Sequence, residues 1–139
     1  MMTFNYVLNK IKNPDDIKDI KEAYEYANSK LSGVMRKNGD TEISHCLEVA
    51  NILIDLNVDK ETIICAILHS VLDFNDIAEK EIVEKFSLET YKIIFSLSKI
   101  NNLEMVDDSE SAALYLRKVM VGLSEDVRVL FIKLADRLH

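Results

Sequence analysis

The chain has 139 residues, 48% of them hydrophobic and 29% charged, a composition typical of one globular domain. The net charge of -7 argues against a nucleic-acid-binding surface, because phosphate backbones are bound by clustered lysines and arginines. The chain begins with neither the basic nor the long apolar stretch of a signal peptide, no apolar run has membrane-spanning length, and the two cysteines form no disulfide pattern. We therefore expect a single cytoplasmic domain over residues 1–139 that contacts neither nucleic acid nor membrane.

Apolar residues recur at helical spacing along nearly the whole chain, which contains only three glycines and one proline. Asn13, Asp59 and Ser124 are suitable N-caps, and Pro14 suits the first position of a helix. In chain order, the predicted helices span residues 4–11, 14–31, 44–56, 60–74, 77–86, 87–100, 112–123 and 124–139. The pattern indicates an all-α bundle of about seven to eight helices, with a polar loop around Gly39 before the third of them.

The helix predicted over residues 60–74 is apolar around its whole circumference, which is typical of a central, buried helix. It contains His69, while His45 and Asp136 lie in apolar stretches of two other helices. Each of the three could be a core residue satisfied by a hydrogen bond. Imidazole and carboxylate groups on three helices are also how a helical bundle builds a divalent metal site.

Several stretches of the chain resemble a known family from about Ala23 onward. "RKNGDTEISH" is similar to its "RKSGEPYIxHP", "ETIICAILHSVLDF" to its "ETIxAALLHDVVED", and "LRKVMVGLSEDVRVLFIKLADRLH" to its "xRKMLLAMAxDxRVxLIKLADRLH". The family is the hydrolase domain of RelA/SpoT proteins, within the HD-domain metal phosphohydrolases, which removes pyrophosphate from the alarmone (p)ppGpp. The resemblance implies an HD-type helical fold.

Carried over position by position, the resemblance puts the metal ligands of the family, which holds Mn²⁺, on His45, His69, Ser70 and Asp136. Ser70 stands where the family has the aspartate of its HD dipeptide. A neutral hydroxyl is a much weaker ligand for a hard divalent cation than a carboxylate. We therefore expect weakened binding of Mn²⁺.

The family's pair of acidic residues, which helps to prepare the attacking water, falls on Asp73 and Phe74. Asp73 keeps a shortened carboxylate and is the remaining candidate catalytic residue, whereas Phe74 has no acid-base function. Substitutions at ligand and acid-base positions together favour an inactive or nearly inactive hydrolase.

The resemblance also implies that Arg36 and Lys37 bind nucleotide, since a guanidinium stacks on purines and pairs with phosphate oxygens. The same two residues could instead form an ordinary solvated loop. Glu42 replaces the family's tyrosine, and a carboxylate beside a phosphate pocket is expected to repel a polyanion.

Three hypotheses follow for function. The first is a catalytically impaired, regulatory domain that controls a synthetase domain following it in a longer protein. The second is an active (p)ppGpp hydrolase in which Asp73 or Asp76 replaces the lost ligand. The third is a helical interaction domain or a structural zinc site, because Cys65 lies one turn before His69 and Cys46 adjoins His45.

Overall fold

The structure is a computed structural model that describes residues 2–104 and 126–138. Within these ranges all regular secondary structure is helical, apart from one isolated antiparallel bridge between Met35 and Thr41. The helices are α1 (Phe4–Leu8), α2 (Pro14–Lys30), α3 (Glu42–Asp55), α4 (Lys60–Leu68), α5 (Val71–Phe74), α6 (Glu79–Lys85), α7 (Leu88–Glu104) and α8 (Arg128–Leu138). The prediction of an all-α bundle is confirmed.

Helix α3 begins earlier than the sequence pattern predicted. The hydroxyl of Thr41 accepts a hydrogen bond from the backbone N–H of Ser44 at 3.2 Å, so Thr41 is the N-cap. The preceding loop turns at Gly39, whose φ of +94° favours glycine. This start moves Glu42 out of the loop and into the first turn of α3.

The helix predicted over residues 60–74 is broken in two at His69 and Ser70. Asp59 caps α4 as expected, with its carboxylate accepting from the Thr62 backbone N–H at 3.0 Å. The chain leaves the helix after Leu68 and re-enters a single turn at Val71, which is α5. His69 and Ser70 therefore lie between two helices, as the C-cap of α4 and the N-cap of α5.

Helix α4 forms the centre of the bundle and packs against α2, α3, α7 and α8. The side chains from Cys65 to Leu68 are fully buried on all sides, as the apolar circumference predicted. Burial raises the pKa of the Cys65 thiol to about 12, so the thiol is protonated at neutral pH. The central helix α4 is therefore apolar and buried, and the polar pair His69 and Ser70 follows it.

The remaining helices form around this centre. Helix α7 extends to Glu104, into a stretch predicted as a connector, and α8 packs on α3, α4 and α7. The helix predicted over 112–123 and the cap at Ser124 lie outside the described residues. None of the described helices combines the length and apolarity that crossing a membrane requires.

Two leucines of α3 provide a matched test of this packing. Leu53 is fully buried and Leu56, at the C-terminal end of the helix, is 64% exposed. We expect Leu53→Ala to lower the free energy of unfolding by about 2–5 kcal/mol because it leaves a cavity. Leu56→Ala should change it by less than about 0.5 kcal/mol. Urea denaturation followed by circular dichroism measures both, and equal losses would contradict the described packing.

Candidate metal site

Three side chains from different parts of the chain meet at the break that follows α4. One potential ligand atom each from His45 of α3, His69 and Asp136 of α8 lies within 4.8 Å of the other two. His45 Nε2 is 2.5 Å from Asp136 Oδ1, and His69 Nε2 is 3.5 Å from the same oxygen. Two imidazoles and a carboxylate at these separations fit a divalent cation.

Local structure fixes which nitrogen of His69 faces the site. Its Nδ1 lies 2.6 Å from the carbonyl oxygen of Ala66, and a carbonyl can only accept a hydrogen bond. Nδ1 therefore carries a proton, and Nε2 faces the cluster, where a bound cation would take the place of the proton that Nε2 shares with Asp136. Metal-binding histidines are commonly oriented in this way by a carbonyl on their other nitrogen.

Asp136 is charged although its surroundings are largely buried. Burial alone would raise the pKa of this carboxyl, but the hydrogen bonds with His45 and His69 hold it well below its usual range. Lys133, one turn earlier and 4% exposed at its side chain, donates to Asp136 Oδ2 at 3.1 Å. Burial also lowers the pKa of His45, which favours the neutral ring that a metal needs.

Ser70 is buried beside this cluster, but its nearest polar neighbour is an acid. Its hydroxyl donates to Glu42 Oε1 at 3.0 Å, and the thiol of Cys46 lies 3.5 Å from Ser70 Oγ. Glu42 is only 5% exposed, and Arg36 Nη1 donates to its two oxygens at 2.8 and 3.3 Å. The carboxylate of Glu42, which was expected to repel a polyanionic ligand, is thus buried and forms an ion pair with Arg36.

Asp73 and Phe74 lie on α5, and neither belongs to the group of ligand atoms. Asp73 is exposed, and its Oδ1 accepts a hydrogen bond from Ser98 of α7 at 2.8 Å. Phe74 is 51% exposed. Asp73 and Asp76 do not join the group of ligand atoms found among the described residues. The hypothesis that one of them replaces the missing ligand has no support in this geometry.

A groove of about 410 Å³ opens beside Glu42. Its walls are formed by the loop before α3 and by the aromatic ring of α5; they comprise Met35, Arg36, Lys37, Asn38, Glu42 and Phe74. Arg36 and Lys37 thus share one cleft, as nucleotide-binding residues would. Arg36 is half-buried by its ion pair with Glu42, whereas Lys37 is exposed.

The two cysteines lie outside the cluster of ligand atoms in the described residues, although Cys46 is a hydrogen-bond partner of His69. In the described part of the chain, the group with ligand spacing contains His45, His69 and Asp136 and no cysteine. Cys65 has Thr90 of α7 as its hydrogen-bond partner. Cys46 is buried and lies next to Ser70.

The sequence interpretation did not predict that Glu42 is buried. The sequence shows that Glu42 stands where the family has a tyrosine, but its burial depends on where α3 begins. The available signal was the spacing Glu42-x-x-His45, which puts both side chains on one face of a helix.

The chain was compared with protein-family models and with curated proteins. The model described as "HD domain" matches residues 23–139. "GTP pyrophosphokinase rsh" of Brucella ovis is 42% identical over 120 residues, which is 86% of this chain and 16% of that protein. "Bifunctional (p)ppGpp synthase/hydrolase SpoT" of Escherichia coli K12 is 31% identical over 137 residues, 99% of this chain and 20% of that protein.

The chain thus spans at most a fifth of the length of these relatives. The matched family model covers most of the chain, including all three residues of the cluster. This chain belongs to the HD domain family and is homologous to RelA/SpoT-type (p)ppGpp synthase/hydrolases.

Proposed function

We propose that this domain binds a divalent cation such as Mn²⁺ at His45, His69 and Asp136 but is largely inactive as a (p)ppGpp 3'-pyrophosphohydrolase. The observation that carries the proposal is the pairing of Ser70 with Glu42, 3.0 Å apart, at the position where the family has the aspartate of its HD dipeptide. Ser70 adds no charge to the cluster, and its hydroxyl is already engaged.

The proposed cation would supply positive charge to a phosphate oxygen and lower the pKa of a bound water. His45 and His69 would hold it through Nε2 and Asp136 through Oδ1, while Lys133 holds the other oxygen of Asp136. The groove with Arg36 and Lys37 would receive guanosine tetra- or pentaphosphate.

The reaction step that we propose is impaired in this domain is activation of the attacking water. A general base must lie within hydrogen-bond reach of the water it deprotonates. Asp73 instead accepts a hydrogen bond from Ser98 on the neighbouring helix, and Phe74 has no ionisable group. With neither group at the cluster, proton transfer loses most of its assistance.

A domain that keeps the HD-type fold but has lost most of its (p)ppGpp hydrolysis is suited to a regulatory role in the cytoplasm. The relatives named above are several times longer than this chain, and the one from Escherichia coli is a bifunctional (p)ppGpp synthase/hydrolase. We propose that this domain controls a synthetase domain in a longer protein, through packing of one helical face against it.

The first test is hydrolysis itself. Loss of general acid-base help typically slows a reaction by about 10²- to 10⁴-fold. We expect the rate of pyrophosphate release from ppGpp with Mn²⁺ to lie below that of the E. coli SpoT hydrolase by a factor in this range. Release at a comparable rate, abolished by a chelator, would overturn the proposal of an impaired enzyme.

The second test restores the family residues. Ser70→Asp with Asp73→Glu and Phe74→Asp returns the ligand and the acidic pair together, so we expect Mn²⁺-dependent hydrolysis to rise by at least about 100-fold. Phe74 is half-exposed, and an acid there should be tolerated. Phe95→Asp, at a phenylalanine of α7 that is 43% exposed, is the matched control and should leave activity at the basal level. Equal activity of the restored and control variants would refute the proposed cause of inactivity.

A further inference from the structure

Glu42 is a buried carboxylate that the proposed reaction does not use. Its side chain is 7% exposed, and its three polar contacts are one with Ser70 and two with Arg36. Burying a carboxylate is costly, and a core position can be filled more cheaply by an apolar side chain. Its presence beside the cluster therefore calls for a role.

Glu42 lies outside the group of three ligand atoms, but two features place it near His45 and His69. On α3 it lies three residues before His45, and side chains at this spacing share one helix face. A Glu-x-x-His pair of this kind supplies ligands to metal sites in other helical bundles. Across the bundle its Oε1 is 3.0 Å from Ser70, the residue directly after His69.

The charge balance of the cluster points in the same direction. Asp136 is the only acid among the three residues with ligand spacing in the described chain, and Lys133 offsets its charge at 3.1 Å. Hard divalent cations prefer sites rich in carboxylate oxygen. With the aspartate of the HD dipeptide replaced by Ser70, Asp136 and Lys133 together carry no net charge, and Glu42 adds a negative charge to the site to the extent that it is released from Arg36.

Arg36 is the competitor for this carboxylate. It is joined to Glu42 by two hydrogen bonds, a forked arrangement that holds a carboxylate firmly. Glu42 reaches a cation at the cluster only by giving up part of this pair. Arg36 should therefore weaken cation binding, although Glu42 strengthens it.

We propose that Glu42 is the fourth ligand of the cation and replaces, from α3, the carboxylate that the chain has lost at Ser70. This inference rests on the proposed metal site and deepens it. It separates the two losses in the chain. The carboxylate for the cation is supplied by another helix, whereas among the described residues the group with ligand spacing contains no substitute for the acid-base pair.

The test is the affinity of the purified chain for Mn²⁺ alone, measured by titration calorimetry and by the electron paramagnetic resonance signal of free Mn²⁺. We expect Glu42→Gln to weaken Mn²⁺ binding by about 10- to 100-fold, the loss typical of removing a group that supports a metal site. Arg36→Gln should strengthen it several-fold. Glu25→Gln, an exposed acid of α2, makes the same change in net charge and should have no effect.

A rescue experiment identifies the role of the carboxylate. If Glu42 replaces the family aspartate, Ser70→Asp in the Glu42→Gln background should return the affinity for Mn²⁺ to that of the original chain. Circular dichroism checks that each variant is folded. If Glu42→Gln does not fold, the increase expected for Arg36→Gln decides, and an unchanged affinity there overturns the inference.

The outcomes also separate this inference from the proposed function. Unchanged Mn²⁺ affinity in folded Glu42→Gln overturns the role of Glu42 and leaves impaired hydrolysis intact. Failure of the original chain to bind Mn²⁺ at all overturns both this inference and the cation binding in the proposed function, and leaves only the proposal of impaired hydrolysis. Rapid hydrolysis with the expected change in Glu42→Gln would overturn the proposed inactivity alone.

Discussion

The hydrogen bond between His45 and Asp136 is the constraint on which both the fold and the candidate site depend. It joins two side chains 91 residues apart and links α3 to α8 at 2.5 Å. The apolar side of α8, through Val129, Ile132 and Ala135, enters the core only in the register that also buries Asp136 among the imidazoles. A carboxylate left there without partners would cost several kcal/mol, so the polar pair and the apolar packing select the same position for the last helix.

The same residues that close the bundle therefore have the geometry of a cation site. Asp136 stays ionised because its imidazole partners outweigh the effect of burial on its pKa. The carbonyl of Ala66 holds the ring of His69 with Nε2 inward. A site built in this way is rigid, because its ligands are positioned by backbone and core contacts before any ligand binds.

Much of this arrangement could be predicted from the sequence, and the exceptions have local causes. Helical spacing and caps such as Asn13 and Asp59 identified the helices, because these signals act within one turn of the chain. The start of α3 was placed two residues late, because the sequence pattern gave no weight to Thr41, whose hydroxyl caps the helix by accepting a hydrogen bond from the backbone N–H of Ser44. The break after Leu68 has no glycine or proline to mark it, and the chain bends there where the polar pair His69 and Ser70 meets the other helices. His45, His69 and Asp136 were indicated as candidate ligands by their polar side chains in apolar helices, and the resemblance pointed to the same three residues. Their spacing along the chain does not determine that they meet.

The two departures from the family differ in how readily a fold can compensate for them. A cation responds to the summed charge and oxygen atoms around it, so a carboxylate lost from the break after α4 can be supplied from another helix that faces the same point. Glu42 fulfils this condition because one turn of α3 separates it from His45. A general base must instead lie within hydrogen-bond distance of one particular water and point at its proton. The single turn of α5 offers few other positions for such a base. Asp73 accepts a hydrogen bond from Ser98, and Phe74 is half-exposed and has no ionisable group. Binding of a cation can thus outlast hydrolysis in a chain that has changed at both kinds of position.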